Sequence, residues 1–63
     1  MKDREKFFVA VKDVSAPGQI RQGKILGKYR ELSFARRDHY GLARAEGLES
    51  WKTGIFQHGK LTS

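Results

Sequence analysis

The chain carries arginines and a tyrosine whose spacing suits contact with phosphates and bases. Arg36, Tyr40 and Arg44 recur at every fourth position, so on a helix they form one ridge with Arg37 beside it. A guanidinium group donates paired hydrogen bonds to a phosphate, and an aromatic ring stacks on a base. The pattern predicts a nucleic-acid contact. The simpler interpretation is a solvated helix face on which Tyr40 covers its neighbours' stems.

The positive charge is concentrated in the middle of the chain. Thirteen Lys and Arg against seven Asp and Glu give a formal net charge of +6. Such a surplus favours nucleic acid or an acidic protein as partner. The predicted binding surface for either partner comprises Arg21, Lys24, Lys28, Arg30, Arg36, Arg37, Tyr40 and Arg44.

Catalysis and metal binding are disfavoured. Only His39 and His58 are available as a general base, and neither has a nucleophile motif beside it. Asp38 precedes His39 directly, which on a helix points the two side chains apart. Two distant histidines without cysteine do not form a zinc site. The sequence therefore predicts a non-enzymatic protein with no metal or cofactor.

Two apparent motifs do not meet the requirements of their chemistry. Residues 23 to 29 read G-K-I-L-G-K-Y, but a phosphate loop needs four residues between its glycines and Ser or Thr after the lysine. Residues 7 to 11 read F-F-V-A-V, yet the second signature of an RNA-recognition sheet is missing. Core packing is the better interpretation of these aromatics.

A helix from Ser33 to Leu48 is predicted to present the arginine ridge. Ser33 is the expected N-cap, Gly47 the left-handed stop, and Leu48 is expected to fold back on the helix at Leu42 and Ala43. At 100° per residue the packing arc is predicted to contain Phe34, Ala35, Leu42 and Ala45.

Two residues of the predicted helix interrupt its pattern. Asp38 falls inside the packing arc and is expected at its edge, paired with a cation such as Arg37 or a strand lysine. Gly41 is unfavourable in a helix interior. It is expected either to let the helix approach the sheet closely or to break the helix.

The first half of the chain has the alternation of β-strands. Residues 6 to 12 are predicted to form a central strand, and Ala16-Pro17-Gly18-Gln19 fits a type II turn. Residues 20 to 32 follow neither period and are predicted to be extended with a bulge near Gly23 or Gly27. A hairpin at Gln22-Gly23, which would add a strand, is the alternative.

After the helix, residues 49 to 58 are predicted to form a strand that pairs with the first one, and residues 59 to 63 to be frayed. The expected fold is a single α+β domain spanning residues 1 to 63. It has an antiparallel sheet of three, or with the hairpin four, strands and one helix on one face, in β-β-α-β order.

The sheet face away from the helix is predicted to be polar, dimerised or bound by a partner. Trp51 and Phe56 fall on alternate faces of the last strand, so they are candidate partner contacts. This gives a second function class, an inhibitor or adaptor of the phage or mobile-element type. Such a protein would dock on a larger host protein, for example a nucleic-acid-handling machine. A homodimer is a third alternative.

A cytoplasmic location is expected. The chain has no cysteine, Met1 to Lys6 contain no apolar signal core, and no apolar run reaches transmembrane length. No membrane partner is predicted.

Overall fold

The computed structural model describes residues 6 to 62, which form a four-stranded antiparallel sheet with an α-helix on one face. The elements in chain order are β1 (Phe7–Ala16), β2 (Gln19–Tyr29), α1 (Leu32–Ala45), a 3₁₀ turn (Ser50–Lys52), β3 (Thr53–Gln57) and β4 (Lys60–Leu61). The strand order is β2-β1-β3-β4. The predicted α+β class and β-β-α-β order are confirmed, and a short fourth strand follows.

The β1–β2 hairpin is longer than the sequence predicts. Its pairing continues to Ala16 opposite Gln19, so residues 13 to 16 belong to β1 although they were expected to form a loop. Strand hydrogen bonds are made by the backbone, which is why polar side chains do not end the pairing here. Gly18 has a φ of 76°, as a type II turn requires at its third position.

Residues 19 to 29 form one irregular strand, as predicted, and the alternative hairpin at Gln22-Gly23 is wrong. Val9 pairs with Gly27 and Ala10 with Ile25, so Leu26 is an extra residue on β2. A second shift lies close to Gly23, where an added Cβ would come within 2.8 Å of the Val11 carbonyl oxygen. Bulges bend a strand and increase its twist, so β2 wraps around the rest of the sheet.

The strand after the helix, β3, starts later than predicted. It pairs with β1 as expected, but it begins at Thr53, because the preceding residues form the 3₁₀ turn. The amide of Lys52 donates to the Glu49 carbonyl at 2.9 Å, and the Thr53 hydroxyl donates to the Ser50 carbonyl at 2.9 Å. These local bonds compete with the ladder and hold the segment as a turn.

The end of the described chain is paired, which corrects the prediction that it is frayed. Lys60 and Leu61 form β4 through a turn in which His58 and Gly59 have φ values of 55° and 77°. Two successive residues with positive φ are typical of the tight type I′ hairpin turn. Residues 1 to 5 and Ser63 lie outside the described residues.

The helix stops as predicted and starts differently. Gly47 has a φ of 74°, its amide donates to the Arg44 carbonyl, and the Leu48 amide donates to the Ala43 carbonyl, both at 2.9 Å. These are the bonds of a Schellman motif. The predicted Ser33 cap is wrong: α1 begins at Leu32 after Glu31, which makes no side-chain cap bond. An earlier start places Leu32 against the core, and its burial offsets the missing cap.

The packing face of α1 is rotated by about 60° from the prediction. Ala35 and Ala43 are fully buried and Leu42 is half-buried, whereas Phe34 is 43% exposed and Ala45 is exposed. The half-buried side chains along this face also include Leu32, Asp38 and His39. Polar side chains of the sheet hydrogen-bond Asp38 and His39 at the interface, so the packing face of the helix need not be wholly apolar.

The sheet has a core on both sides. Val9 and Ile55 pack against Ala35 of the helix, while their neighbours Ala10 and Phe56 are fully buried on the opposite face. The centre of that face is covered within the same chain, where β2 and β4, the two edge strands, come into contact. The apolar side chains that pair with Ala10 on β2 and with Phe56 on β4 are exposed, so the expectation of a partner or a second copy on this face stays a prediction.

The position of Gly41 contradicts both of its predicted roles. The helix continues through it, it is exposed, and an added Cβ would meet nothing within 4 Å. We therefore expect Gly41→Ala to raise the free energy of unfolding by about 1 kcal/mol, measured by urea denaturation. Gly47→Ala is the matched control: its site is equally open, but its φ of 74° makes any Cβ unfavourable, so it is expected to lose about 1 kcal/mol. Equal effects of the two changes would contradict this.

Candidate functional site

The outward face of α1 carries the predicted ridge. Arg36, Tyr40 and Arg44 are all exposed, and Tyr40 is 58% exposed. The Arg44 guanidinium carbon lies 5.8 Å from the centre of the Tyr40 ring. Arg36 and Arg44 have no ion-pair partner among the described residues. The ridge therefore presents two cations and one ring to solvent.

The other predicted cations are divided among different surroundings. Lys24 pairs with Glu46 at 3.5 Å, and Arg21 lies opposite Asp13 in the β1–β2 register. Lys28 lies opposite Phe8, on the sheet face away from the helix. The strand cations and the helix ridge thus lie on different elements, and the pair between Lys24 and Glu46 joins β2 to the end of α1. Cations on an edge strand also block pairing with other chains, which accounts for those on β2.

Arg37 and Asp38 form an ion pair at the edge of the packing face. Arg37 Nε donates to the Asp38 carboxylate at 3.2 Å, and its guanidinium carbon lies 5.2 Å from the centre of the Phe34 ring. The pairing predicted for Asp38 is confirmed. Arg37 is partly neutralised and contributes less than its neighbours to the positive ridge.

A shallow groove of about 340 Å³ lies beside the ridge and connects α1 to the segment after it. It is lined by Tyr40, Arg44, Leu48, Glu49, Ser50 and Trp51. Trp51 is 64% exposed, its indole N–H donates to the Glu49 carboxylate, and Lys52 Nζ lies 5.3 Å from the centre of its ring. Two exposed aromatic side chains, each with a cation over its ring, therefore border one groove.

A buried hydroxyl ties the 3₁₀ turn to the middle of the helix. His39 Nε2 lies 2.6 Å from Thr53 Oγ1, and the Thr53 hydroxyl donates to the Ser50 carbonyl. Because that hydroxyl has one proton to donate, it accepts the bond from His39, which places the proton on Nε2. His39 neighbours Tyr40, and Ser50 neighbours Trp51. These two hydrogen bonds through the Thr53 hydroxyl thus hold the two sides of the groove together.

Tyr29 on β2 contributes to the core. Its ring packs against the buried cluster, and its hydroxyl donates to the Asp38 carboxylate at 3.0 Å. The hydrogen bonds from Arg37 and then Tyr29 hold the pKa of Asp38 below its usual range. Burial, followed by the bond to Asp38, raises the pKa of Tyr29.

We expect the Asp38 contacts to make the free energy of unfolding decrease as the pH falls. Because the pKa of Asp38 is lower in the folded chain than in the unfolded chain, its contribution is present above the unfolded pKa and is lost as the pH falls through the folded pKa. Tyr29→Phe should lower the urea midpoint at pH 7, and the difference from wild type should shrink in acid. Tyr40→Phe, which removes an exposed hydroxyl, is the control. Parallel pH profiles for wild type and Tyr29→Phe would contradict the assignment.

Trp51 and Phe56, the two candidate partner contacts, differ in exposure. Trp51 is exposed, whereas Phe56 is fully buried between strands and is not available to a partner, which corrects that candidate. The sequence does not predict the proximity of Tyr40 and Trp51, because its alternation places Trp51 in a strand. The usable signal is Thr53 three residues beyond Ser50, a spacing at which a threonine hydroxyl can hydrogen-bond the backbone of a turn.

Comparison with protein-family models, curated proteins and solved structures finds no match to this chain. Within residues 6 to 62, none of the helices combines the length and the apolar character that a membrane span requires. Within the same range, no cluster of three or more His, Asp or Glu side chains is placed to hold a metal ion.

Proposed function

We propose that the chain is a non-enzymatic nucleic-acid-binding protein that contacts the DNA or RNA backbone through the outward ridge of α1. The observation that carries the proposal is the exposed Arg36, Tyr40 and Arg44 series, whose arginines have no ion-pair partner among the described residues. Arginines presented this way donate to phosphates and release counterions on binding.

The charge distribution favours the helix over the strands as the contact surface. On β2, Lys24 is paired and the other cations have the alternative role of edge protection. On α1, an ordinary solvated face would be expected to mix both signs, but Asp38 is turned toward the sheet and pairs with Arg37. The net charge of +6 adds long-range attraction to a polyanion, and a reducing compartment such as the cytoplasm suits a chain without cysteine.

The proposal is tested by the salt dependence of binding. Fluorescence anisotropy with labelled mixed-sequence DNA and RNA would be measured between about 50 mM and about 200 mM salt. The logarithm of the affinity should fall linearly with the logarithm of the salt concentration. Arg36→Ala/Arg44→Ala should reduce the slope by about 1.4 for a single strand or 1.8 for a duplex, since each phosphate contact contributes about 0.7 or 0.9.

The matched control is Arg21→Ala/Lys24→Ala, which also removes two positive charges, but from β2. It should leave most of the slope intact. Equal loss in both double variants would show that net charge alone drives binding, and absence of wild-type binding at low salt would overturn the proposal. Circular dichroism would verify that both variants are folded.

The second candidate is a small inhibitor or adaptor of the phage or mobile-element type that docks on a larger protein. The exposed Trp51 favours it, because large aromatic side chains are enriched at the centres of protein interfaces. In that case a pull-down from nuclease-treated lysate would retain one defined protein. Trp51→Ala would accelerate its release, and the arginine changes would mainly slow association.

A further inference from the structure

We propose that the groove between Tyr40 and Trp51 receives one unpaired nucleobase, so that the chain prefers single-stranded over duplex nucleic acid. This inference rests on the proposed nucleic-acid function and specifies its substrate. Both rings are more than half exposed and line the same groove. In a duplex the bases are stacked on each other, and only a single strand offers their faces to protein side chains.

The size and lining of the groove match one base and its phosphate. Its volume of about 340 Å³ is at the small end of ligand sites in proteins. Arg44 lines the groove and lies over Tyr40, and Lys52 lies over Trp51, so each aromatic surface has a cation next to it. Stacking platforms of this composition bind single strands with little dependence on sequence.

Glu49 adds a negative charge to a groove that also contains the positive charge of Arg44. Its carboxylate accepts the indole N–H of Trp51, which orients that ring, and its negative charge repels phosphate. The phosphate of the bound nucleotide is therefore directed toward Arg44 and onward to Arg36 along the ridge. A single strand would follow α1 with one base turned into the groove.

The test compares three labelled probes of about 12 nucleotides: a single strand, the matching duplex, and a single strand of abasic units that keeps the phosphates and lacks the bases. Anisotropy would give the affinities, and Trp51, the only tryptophan, would report stacking through quenching of its emission. The base-containing single strand should bind about 10-fold more tightly than the abasic strand. It should also bind more tightly than the duplex and quench Trp51.

Variants distinguish stacking from charge. Trp51→Ala and Tyr40→Ala should each weaken single-strand binding about 10-fold without changing the salt slope, whereas Trp51→Phe should retain most of the affinity. If all three probes bind equally and the aromatic variants match wild type, backbone binding stands and the base site is overturned. If no probe binds at low salt, the proposed function fails and this inference fails with it.

Discussion

Phe56→Ala is expected to remove at least about a third of the free energy of unfolding. Phe56 is fully buried in β3, paired with Phe8 of β1 and Leu61 of β4. Truncating a buried phenylalanine costs about 3 to 5 kcal/mol. At about 0.05 to 0.15 kcal/mol per residue, a chain of this length has a total stability of only about 3 to 9 kcal/mol. Thermal unfolding followed by circular dichroism would measure the loss.

The result also decides between burial and partner contact for this side chain. Phe56→Leu should be folded and retain most of the stability, since it keeps an apolar group of similar volume. Phe34→Ala is the matched control on the helix: its ring is 43% exposed, and we expect a loss of about 1 kcal/mol or less. A folded Phe56→Ala with wild-type stability would mean that the Phe56 ring is not buried as described.

The general architecture follows from local signals that are independent of the rest of the chain. Pro17-Gly18 specifies a tight turn, the alternation through Val9 specifies a strand, and Gly47 specifies a helix stop. Each depends on backbone geometry available to few residue types. The arginine ridge was likewise predictable, because a spacing of four on a helix requires only that the helix exists.

The errors in the facing of α1 and in the burial of Phe56 have a different cause, because the positions of these residues depend on contacts distant in sequence. The rotation of α1 brings Asp38 to Tyr29 and His39 to Thr53, partners 9 and 14 residues away. A packing face predicted from hydrophobicity alone omits polar residues. The predicted face of α1 is therefore rotated away from the observed one, which includes them. Phe56 is buried by the contact between β2 and β4, which depends on bulges that the sequence located only approximately.

The same kind of long-range contact created the groove. Tyr40 and Trp51 are 11 positions apart and belong to different elements, so periodicity within either element does not bring them together. Their proximity depends on the chain reversal at Gly47 and on the hydrogen bonds from Thr53 to His39 and Ser50. The proposed binding surface therefore depends on tertiary structure, although its arginines were visible in the sequence.

Thr53→Val is expected to destabilise the fold by about 2 kcal/mol and to loosen the groove. Valine has the shape of threonine but lacks the hydroxyl. In a site where residue 53 is only 1% exposed, the His39 Nε2–H loses its partner, and the Ser50 carbonyl keeps only the backbone N–H of residue 53. Leaving a buried polar group without a partner costs about 1 to 3 kcal/mol. Urea unfolding would give the loss in stability.

Trp51 supplies a local measurement that separates the groove from the whole fold. In folded Thr53→Val, the Trp51 side chain should be more mobile, which time-resolved emission anisotropy would detect. Thr62→Val is the matched control: it removes the hydroxyl of an exposed residue, which donates to the Ile55 carbonyl at 2.9 Å, and should cost about 0.5 kcal/mol or less. If Thr53→Val and Thr62→Val behave alike, the turn is held by its backbone bonds, and His39 does not position Trp51.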